Sequence, residues 1–312
     1  MTPLPTGPIP AFEGRQLPRP DEEVVDQGLG FDLGTLLSRR RLLAVLGLGA
    51  ASAGLAACGA GSSAATGASS TTGATTASGE IPDETAGPYP GDGSNGPDVL
   101  ERSGIVRSDI RSSFGGSSGT AEGVPMTLEL VVRDLANGGV PFTGVAVYVW
   151  HCDRDGGYSM YSDGITDQNY LRGVQVAEAD GRVRFTSIVP ACYPGRWPHV
   201  HFEVYPDEGS ITDAANAIAT SQVALPKDLC DAVYATSGYE SSVRTLAQVT
   251  LTNDGVFGDD GGASQLATVT GDVASGYTVT LPVGVDTTTA PSGGGTGAGP
   301  GGSRGGPPGR PS

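Results

Sequence analysis

Nine residues, Tyr193 to His201, read Tyr-Pro-Gly-Arg-Trp-Pro-His-Val-His and hold two of the three histidines in the 312-residue chain. Side chains two apart on an extended strand project from one face, so His199 and His201 stand side by side. Neutral imidazole nitrogens are the commonest protein metal ligands, and a same-face pair makes half of a metal site. His-x-His by itself is a short pattern, which two half-buried strand histidines bonded to backbone would also satisfy. Its surroundings add to it. Tyr193 stands six residues before His199, Arg196 lies between them, and Trp197-Pro198 stiffens the approach.

A second stretch, Val147 to Ser159, reads Val-Tyr-Val-Trp-His-Cys-Asp-Arg-Asp-Gly-Gly-Tyr-Ser, a strand that runs into an Asp/Gly turn. Tyr158 follows the turn, where a phenol can point away from the core towards a site. The plain alternative for either tyrosine is a buried ring with a hydrogen-bonded hydroxyl. Phenolate is a hard anionic ligand, and two phenolates with two neutral imidazoles suit trivalent iron better than zinc or copper(I). The candidate metal ligands are therefore Tyr158, Tyr193, His199 and His201, and the candidate cofactor is Fe(III).

With these stretches in view, the chain resembles the intradiol ring-cleavage dioxygenases, relatives of the protocatechuate and catechol dioxygenases. The resemblance is carried by Trp150 with Gly156-Gly157-Tyr158-Ser159, by Asn169-Tyr170-Leu171-Arg172-Gly173, and by Asp180-Gly181-Arg182-Val183-Arg184-Phe185. It is carried above all by Tyr193, Arg196 and His199-Val200-His201-Phe202 in register. Thr85-Ala86-Gly87-Pro88-Tyr89 is similar to the Gly-Pro-Tyr segment that precedes the family's catalytic sandwich. The resemblance covers roughly residues 81 to 285. The chain departs from the catabolic enzymes in its short gap between Tyr193 and His199, and it lacks an evident separate helical dimerisation domain.

The resemblance implies a ferric ion held by the four ligands and a catechol that binds as a dianion, displacing Tyr193 while Tyr158 stays bound. Dioxygen would then insert between the two hydroxylated carbons to give a muconate-type diacid. Arg196, with a permanent charge and a rigid fork of donors, would stabilise the negative charge that develops during oxygen insertion; its bland alternative is a surface salt bridge. Gln222 resembles a glutamine of the family that stands behind the ligands, and Tyr89 is placed at the pocket mouth. Trp150 is expected in the core, and His151, on the opposite face, at the surface or behind the ligands.

The elements that must position these residues read as short strands. Met126 to Arg133 alternates apolar and polar residues, and Val145 to Trp150, Val183 to Val189 and Val200 to Tyr205 follow. Gln248 to Thr252, Ala267 to Thr270 and Tyr277 to Val283 complete the set. One helix is expected over Pro226 to Thr236, with Pro226 in its first turn. The expected class is all-β, an antiparallel sandwich of the intradiol dioxygenase type with long loops and one or two short helices.

Around that domain the composition changes. Residues 1–37 are Pro-rich and acidic and read as a disordered extension. Residues 38–57 have the basic start, apolar centre and small-residue end of an export signal, and Arg39-Arg40 point to the twin-arginine route. Leu55-Ala56-Ala57-Cys58 resembles a bacterial lipoprotein cleavage box, which would make Cys58 a lipidated first residue; an uncleaved membrane anchor is the alternative. Residues 58–80 form a flexible linker, residues 81–285 the catalytic domain, and residues 286–312 a Gly/Pro/Ser-rich tail. An exported cell-surface or membrane-anchored protein follows, with membrane contact only through Cys58 or the signal.

The formal charge of −16 argues against nucleic acid as a partner. A small aromatic diol and O2 are the expected partners, and the oligomeric state stays open. With Cys58 lipidated, Cys152, Cys192 and Cys230 remain, and a Cys192–Cys230 disulfide is the favoured pairing. Two other classes fit parts of the pattern. One is a cupin-like metal enzyme using His-x-His with a carboxylate such as Glu203; the other is a surface-tethered transthyretin-like binding module without metal.

Overall fold

The computed structural model describes residues 79 to 291, together with Ala77 and two short backbone segments near the amino terminus. The Arg39-Arg40 pair, the apolar stretch, Cys58 and the tail beyond residue 291 lie outside the described residues. Two units are distinguished, residues 1–71 with 299–312, and residues 72–298. In the first, β1 (Ala11–Phe12) pairs antiparallel with β2 (Arg15–Gln16), inside the stretch expected to have no regular structure. Among the described residues no helix is long and apolar enough to cross a membrane.

The second unit is built on two sheets. The first contains β3 (Pro125–Asp134), β4 (Val140–Pro141), β7 (Arg182–Ile188), β10 (Thr268–Asp272) and β11 (Gly276–Val285). The second has the order β6 (Arg172–Val176), β5 (Ala146–Trp150), β8 (His199–Tyr205), β9 (Ala219–Ala224). Pairing is antiparallel except between β11 and β3, which run parallel from Tyr277 opposite Met126 to Val285 opposite Asp134. Helices α1 (Lys227–Tyr234) and α2 (Glu240–Leu246) follow β9.

The inner faces of the sheets share one core. Leu128, Leu130 and Val132 of β3 and Phe185 of β7 meet Val147 and Val149 of β5 and Val200, Phe202 and Val204 of β8. A second cluster covers the other face of β5 and β8, with Tyr148, Trp150 and Tyr205 packed against Ala86, Val99, Leu100 and Tyr158. The second sheet is thus covered on both faces, and β5, β8 and β9 are buried along their whole length. That outer face carries the site.

Three expectations are corrected. Gln248 to Thr252 is not a strand: it leaves α2 in turns, where Asn253 Oδ1 accepts the Thr250 N–H at 2.7 Å. Its β-branched residues mimic strand composition, but the Asn253 side chain offers the backbone a local partner instead of a ladder. Strands β6 and β9 are additional to those expected, whereas α2 is the second of the one or two short helices; β6 and β9 carry Gly173 and Gln175, and Thr220, Ser221 and Gln222, in place of a clear apolar alternation. The Cys192–Cys230 disulfide is absent, because Cys152, Cys192 and Cys230 are all buried free thiols. The Cys192 thiol turns to the Arg196 carbonyl at 3.6 Å, and burial pushes its pKa up to about 12.

Candidate metal centre

Strand β8 sets His199 and His201 on one face, as alternation requires. Two independent contacts orient them. The His199 Nδ1–H donates to the Trp197 carbonyl at 2.5 Å, which leaves Nε2 as a bare lone pair. His201 lies directly across from Trp150 of β5, and the two rings stack with centroids 4.9 Å apart. The two Nε2 atoms approach to 3.1 Å, and His201 Nδ1 is buried with no partner.

The tyrosines arrive from two loops. Tyr158 follows β5 after a turn that Asp153 organises, accepting the Asp155 and Gly157 N–H groups at 3.0 and 2.8 Å, with Gly156 at φ +90°. Tyr193 comes from the loop after β7. Its hydroxyl lies 3.3 Å from that of Tyr158 and 3.1 Å from His199 Nε2. Four donor atoms from three segments therefore form a continuous chain of short contacts, the spacing expected of atoms sharing one ion at bonds of about 2 Å.

The electrostatics agree with this reading. Burial holds both imidazoles well below the usual histidine range, with Arg196 adding to the effect on His199 and His199 to that on His201. Burial also raises both phenols, Tyr193 to about 12 and Tyr158 well above its ordinary value. Without a cation the site holds two neutral imidazoles and two neutral phenols, and a trivalent ion would reverse the phenol balance by its own charge. The donor set, the bare His199 lone pair and the converging oxygens fit ferric iron.

Around the donors, the row across the sheet reads Arg172, Trp150, His201, Gln222. Gln222 accepts from Arg196 Nη2 at 2.6 Å and donates to the Thr85 carbonyl at 3.0 Å. Arg196 Nε also donates to Asp254 at 3.0 Å, so it is no simple surface ion pair. Its side chain is 18% exposed, against 0% for Asp254.

Arg172 is buried and spends its guanidinium on oxygens. It donates to the Tyr89 and Pro90 carbonyls at 2.9 and 2.6 Å, to the Tyr148 hydroxyl at 3.0 Å and to the Ser159 carbonyl at 2.9 Å. It thereby ties the segment 85–92 to the loop that carries Tyr158. Gly87, at φ +73°, comes so close that a Cβ there would lie 3.2 Å from His201 Cε1. Tyr89 is 39% exposed with its ring 4.9 Å from that of Tyr158, as expected of a residue at the mouth.

His151 is not at the surface. It is buried, bonded through Nδ1 to the Cys152 carbonyl and through Nε2 to Ser187 Oγ at 2.8 and 2.7 Å. Glu203 is not poised as a ligand: it accepts the Tyr205 hydroxyl at 2.8 Å, and burial lifts its pKa to about 8. Among the described residues no group of three or more His, Cys, Asp or Glu is arranged to hold a metal. Asp254 and Arg172 were missed as site residues. Arg172 lay within a quoted motif, whereas Asp254, 58 residues from Arg196, had no local signal.

A family model described as Dioxygenase matches residues 95–208, a span that includes Tyr158, Tyr193, Arg196, His199 and His201. Chlorocatechol 1,2-dioxygenase of Rhodococcus opacus is 45% identical over 62 residues, 20% of this chain and 23% of that protein. Catechol 1,2-dioxygenase of Pseudomonas sp. (strain EST1001) is 39% identical over 72 residues, again 23% of each. The chain thus spans about a quarter of the length of these curated relatives. The solved intradiol ring-cleavage dioxygenase from Tetranychus urticae superposes with a TM-score of 0.55 at 22% identity, covering 68% of this chain and 97% of that one, a likeness of fold. The fold is the all-β sandwich of that solved dioxygenase. Over residues 95–208 the sequence is similar to the dioxygenases named above.

Proposed function

We propose that this protein is a ferric intradiol dioxygenase that cleaves a catechol-type ring with O2 to a muconate-type diacid, both oxygen atoms entering the product. The observation that carries this reading is the convergence of Tyr158 Oη, Tyr193 Oη, His199 Nε2 and His201 Nε2 through contacts of 3.1 to 3.3 Å. Ferric iron held by these four residues would supply the electron-withdrawing centre that activates a catechol towards dioxygen.

The chain's own residues divide the remaining work. Tyr158 is enclosed, with the Tyr89 ring tilted against it, and its N–H is held by Ser162 Oγ at 2.9 Å, so with a metal bound it would be the phenolate that stays. Tyr193 is half-buried on a loop whose next residues, Pro194 and Gly195, are exposed. With a metal bound it would be the more displaceable phenolate, and its Oη would be the group placed to take a proton from a catechol hydroxyl. Arg196 offers a fixed positive charge beside the ring, oriented by Gln222. The segment from Gly87 to Tyr89 closes over His201 and Tyr158 and limits water at the reacting carbons.

The test is direct: purify the soluble domain, measure iron, record the visible spectrum and screen catechols for oxygen uptake with product mass. Two tyrosinates on ferric iron give a visible charge-transfer band, whereas a zinc site or a metal-free binding module is colourless. A colourless protein that consumes no oxygen with any catechol would overturn the reading.

We further infer that the chain is exported and held at a membrane, from Arg39-Arg40 and the Leu55–Cys58 box. Lysine at both arginines is expected to block export, and Cys58→Ala to abolish lipid labelling. Membrane partitioning of uncleaved Cys58→Ala protein would identify an anchor instead.

A further inference from the structure

The arginine beside the metal ligands is gripped at two of its guanidinium nitrogens. Gln222 takes Nη2 at 2.6 Å and Asp254 Oδ2 takes Nε at 3.0 Å. The two grips come from different parts of the chain, β9 and the loop after α2. Gln222 is itself anchored, because its amide donates to the Thr85 carbonyl.

Asp254 is held more firmly still. Its Oδ1 accepts the N–H groups of Val256 and Phe257 at 2.8 and 3.0 Å, and its own carbonyl accepts Gly258 N–H at 3.0 Å. These bonds fix the carboxylate in a tight turn, which also brings the Phe257 ring to 5.9 Å from the Arg196 guanidinium and 6.4 Å from the His199 ring. The same Oδ2 that receives Arg196 also accepts the Trp197 N–H at 2.6 Å. On the far side of Trp197, its carbonyl accepts the His199 Nδ1–H. One carboxylate oxygen therefore holds the charge-bearing arginine and the backbone N–H of Trp197, the residue whose carbonyl sets the ligand histidine's tautomer.

Stability is a weak explanation for such a pair, because buried ion pairs are often no better than well-packed apolar residues. Orientation is a strong one. An arginine side chain has several free torsions, and a misplacement of about 1 Å at a reacting centre can cost about 100-fold in rate.

We propose that Asp254 is a positioning residue of the ring-cleavage reaction, acting through Arg196 by holding the guanidinium at Nε while Gln222 holds it at Nη2. This rests on the dioxygenase reading above. It assigns Asp254 no contact with substrate or metal.

The test is a double-mutant cycle on the iron-loaded protein, with Asp254→Asn, Arg196→Ala and the pair, using unsubstituted catechol as substrate. Asparagine can keep the Val256 and Phe257 bonds, but it then turns an N–H2 towards two donors, Arg196 Nε and Trp197 N–H. Turnover per bound iron is expected to fall about 10- to 100-fold in Asp254→Asn, with KM changed less than about threefold. In the Arg196→Ala background the same change should cost less than about threefold, since the group it acts through is gone. The tyrosinate absorption band should keep its position in every variant.

Equal losses in both backgrounds would overturn the proposal, as would wild-type turnover in Asp254→Asn or loss of the band. If Asp254→Asn does not fold, the same cycle is run with Asp254→Glu, which keeps the charge on the turn and shifts the oxygen that Arg196 uses. The same two patterns then decide. Wild-type protein that is iron-loaded yet inert to every catechol would overturn the dioxygenase reading and this inference with it. Active wild type with independent losses overturns the inference alone.

Discussion

The indole of Trp150 and the imidazole of His201 lie face to face, their centroids 4.9 Å apart and their planes 6° from parallel. The two residues are direct cross-strand partners, and neither Trp150 Nε1 nor His201 Nδ1 has a hydrogen-bond partner. His199 takes its orientation from the Trp197 carbonyl, but His201 takes its own from this stack and from the strand.

Trp150→Leu removes the flat support while leaving an apolar side chain, so the His201 ring gains freedom to turn. Loss of a group that orients a metal ligand typically costs about 10- to 100-fold in metal affinity. Iron in Trp150→Leu is accordingly expected to pass to a chelator at least about tenfold faster than in wild type, while Trp150→Phe, which can still stack, retains most of its iron. Equal release from all three proteins would detach Trp150 from the metal centre.

Tyr193→Phe keeps the ring and deletes the one oxygen that stands near both Tyr158 Oη and His199 Nε2. The fold is expected to persist, with loss of turnover, weaker iron binding and a changed visible spectrum. An unaltered spectrum with full activity would remove Tyr193 from the ligand set.

Arg196 contributes no ligand atom, so Arg196→Ala should keep its iron. Turnover is expected to drop on the order of 100-fold, as when a single oxyanion-type donor is lost, and by more than the KM for catechol rises. Arg196→Lys keeps the charge without the planar fork and should also be impaired, because Asp254 and Gln222 take two separate guanidinium nitrogens. Iron-normalised turnover of Arg196→Ala within about threefold of wild type, under about 0.7 kcal/mol of barrier, would limit the residue to a structural ion pair.

His151 offers a pH test away from turnover. Burial lowers its pKa to about 4 while it bonds to the Cys152 carbonyl and Ser187. An unfolded histidine titrates near 6.5, so between pH 6.5 and 4 the unfolded chain binds more protons than the folded one. The stabilisation from neutral His151 is present above about pH 6.5 and is lost as pH falls towards 4. In the metal-free protein, wild type should lose about 2 kcal/mol more unfolding free energy than His151→Gln between pH 7 and pH 5. Parallel pH profiles from denaturant unfolding would mean that His151 does not stay neutral in the fold.

The sequence by itself determined the parts of this site that follow from nearest neighbours along the chain. Alternation in an extended strand sets His199 and His201 on one face, and the Asp/Gly turn after Trp150 releases Tyr158 towards them. Only the tertiary structure decided how separate segments meet. The Tyr158 and Tyr193 hydroxyls come within 3.3 Å across 35 residues, and Arg196 meets Asp254 across 58. It also left Cys192 and Cys230 as free thiols and turned Gln248 to Thr252 away from any sheet. The physical reason is that periodicity and turn chemistry act over a few residues and so leave a local pattern. A carboxylate that closes a turn looks the same in sequence whether its second oxygen faces water or a buried arginine, and only the packing of β8, β9 and the loop after α2 decides which.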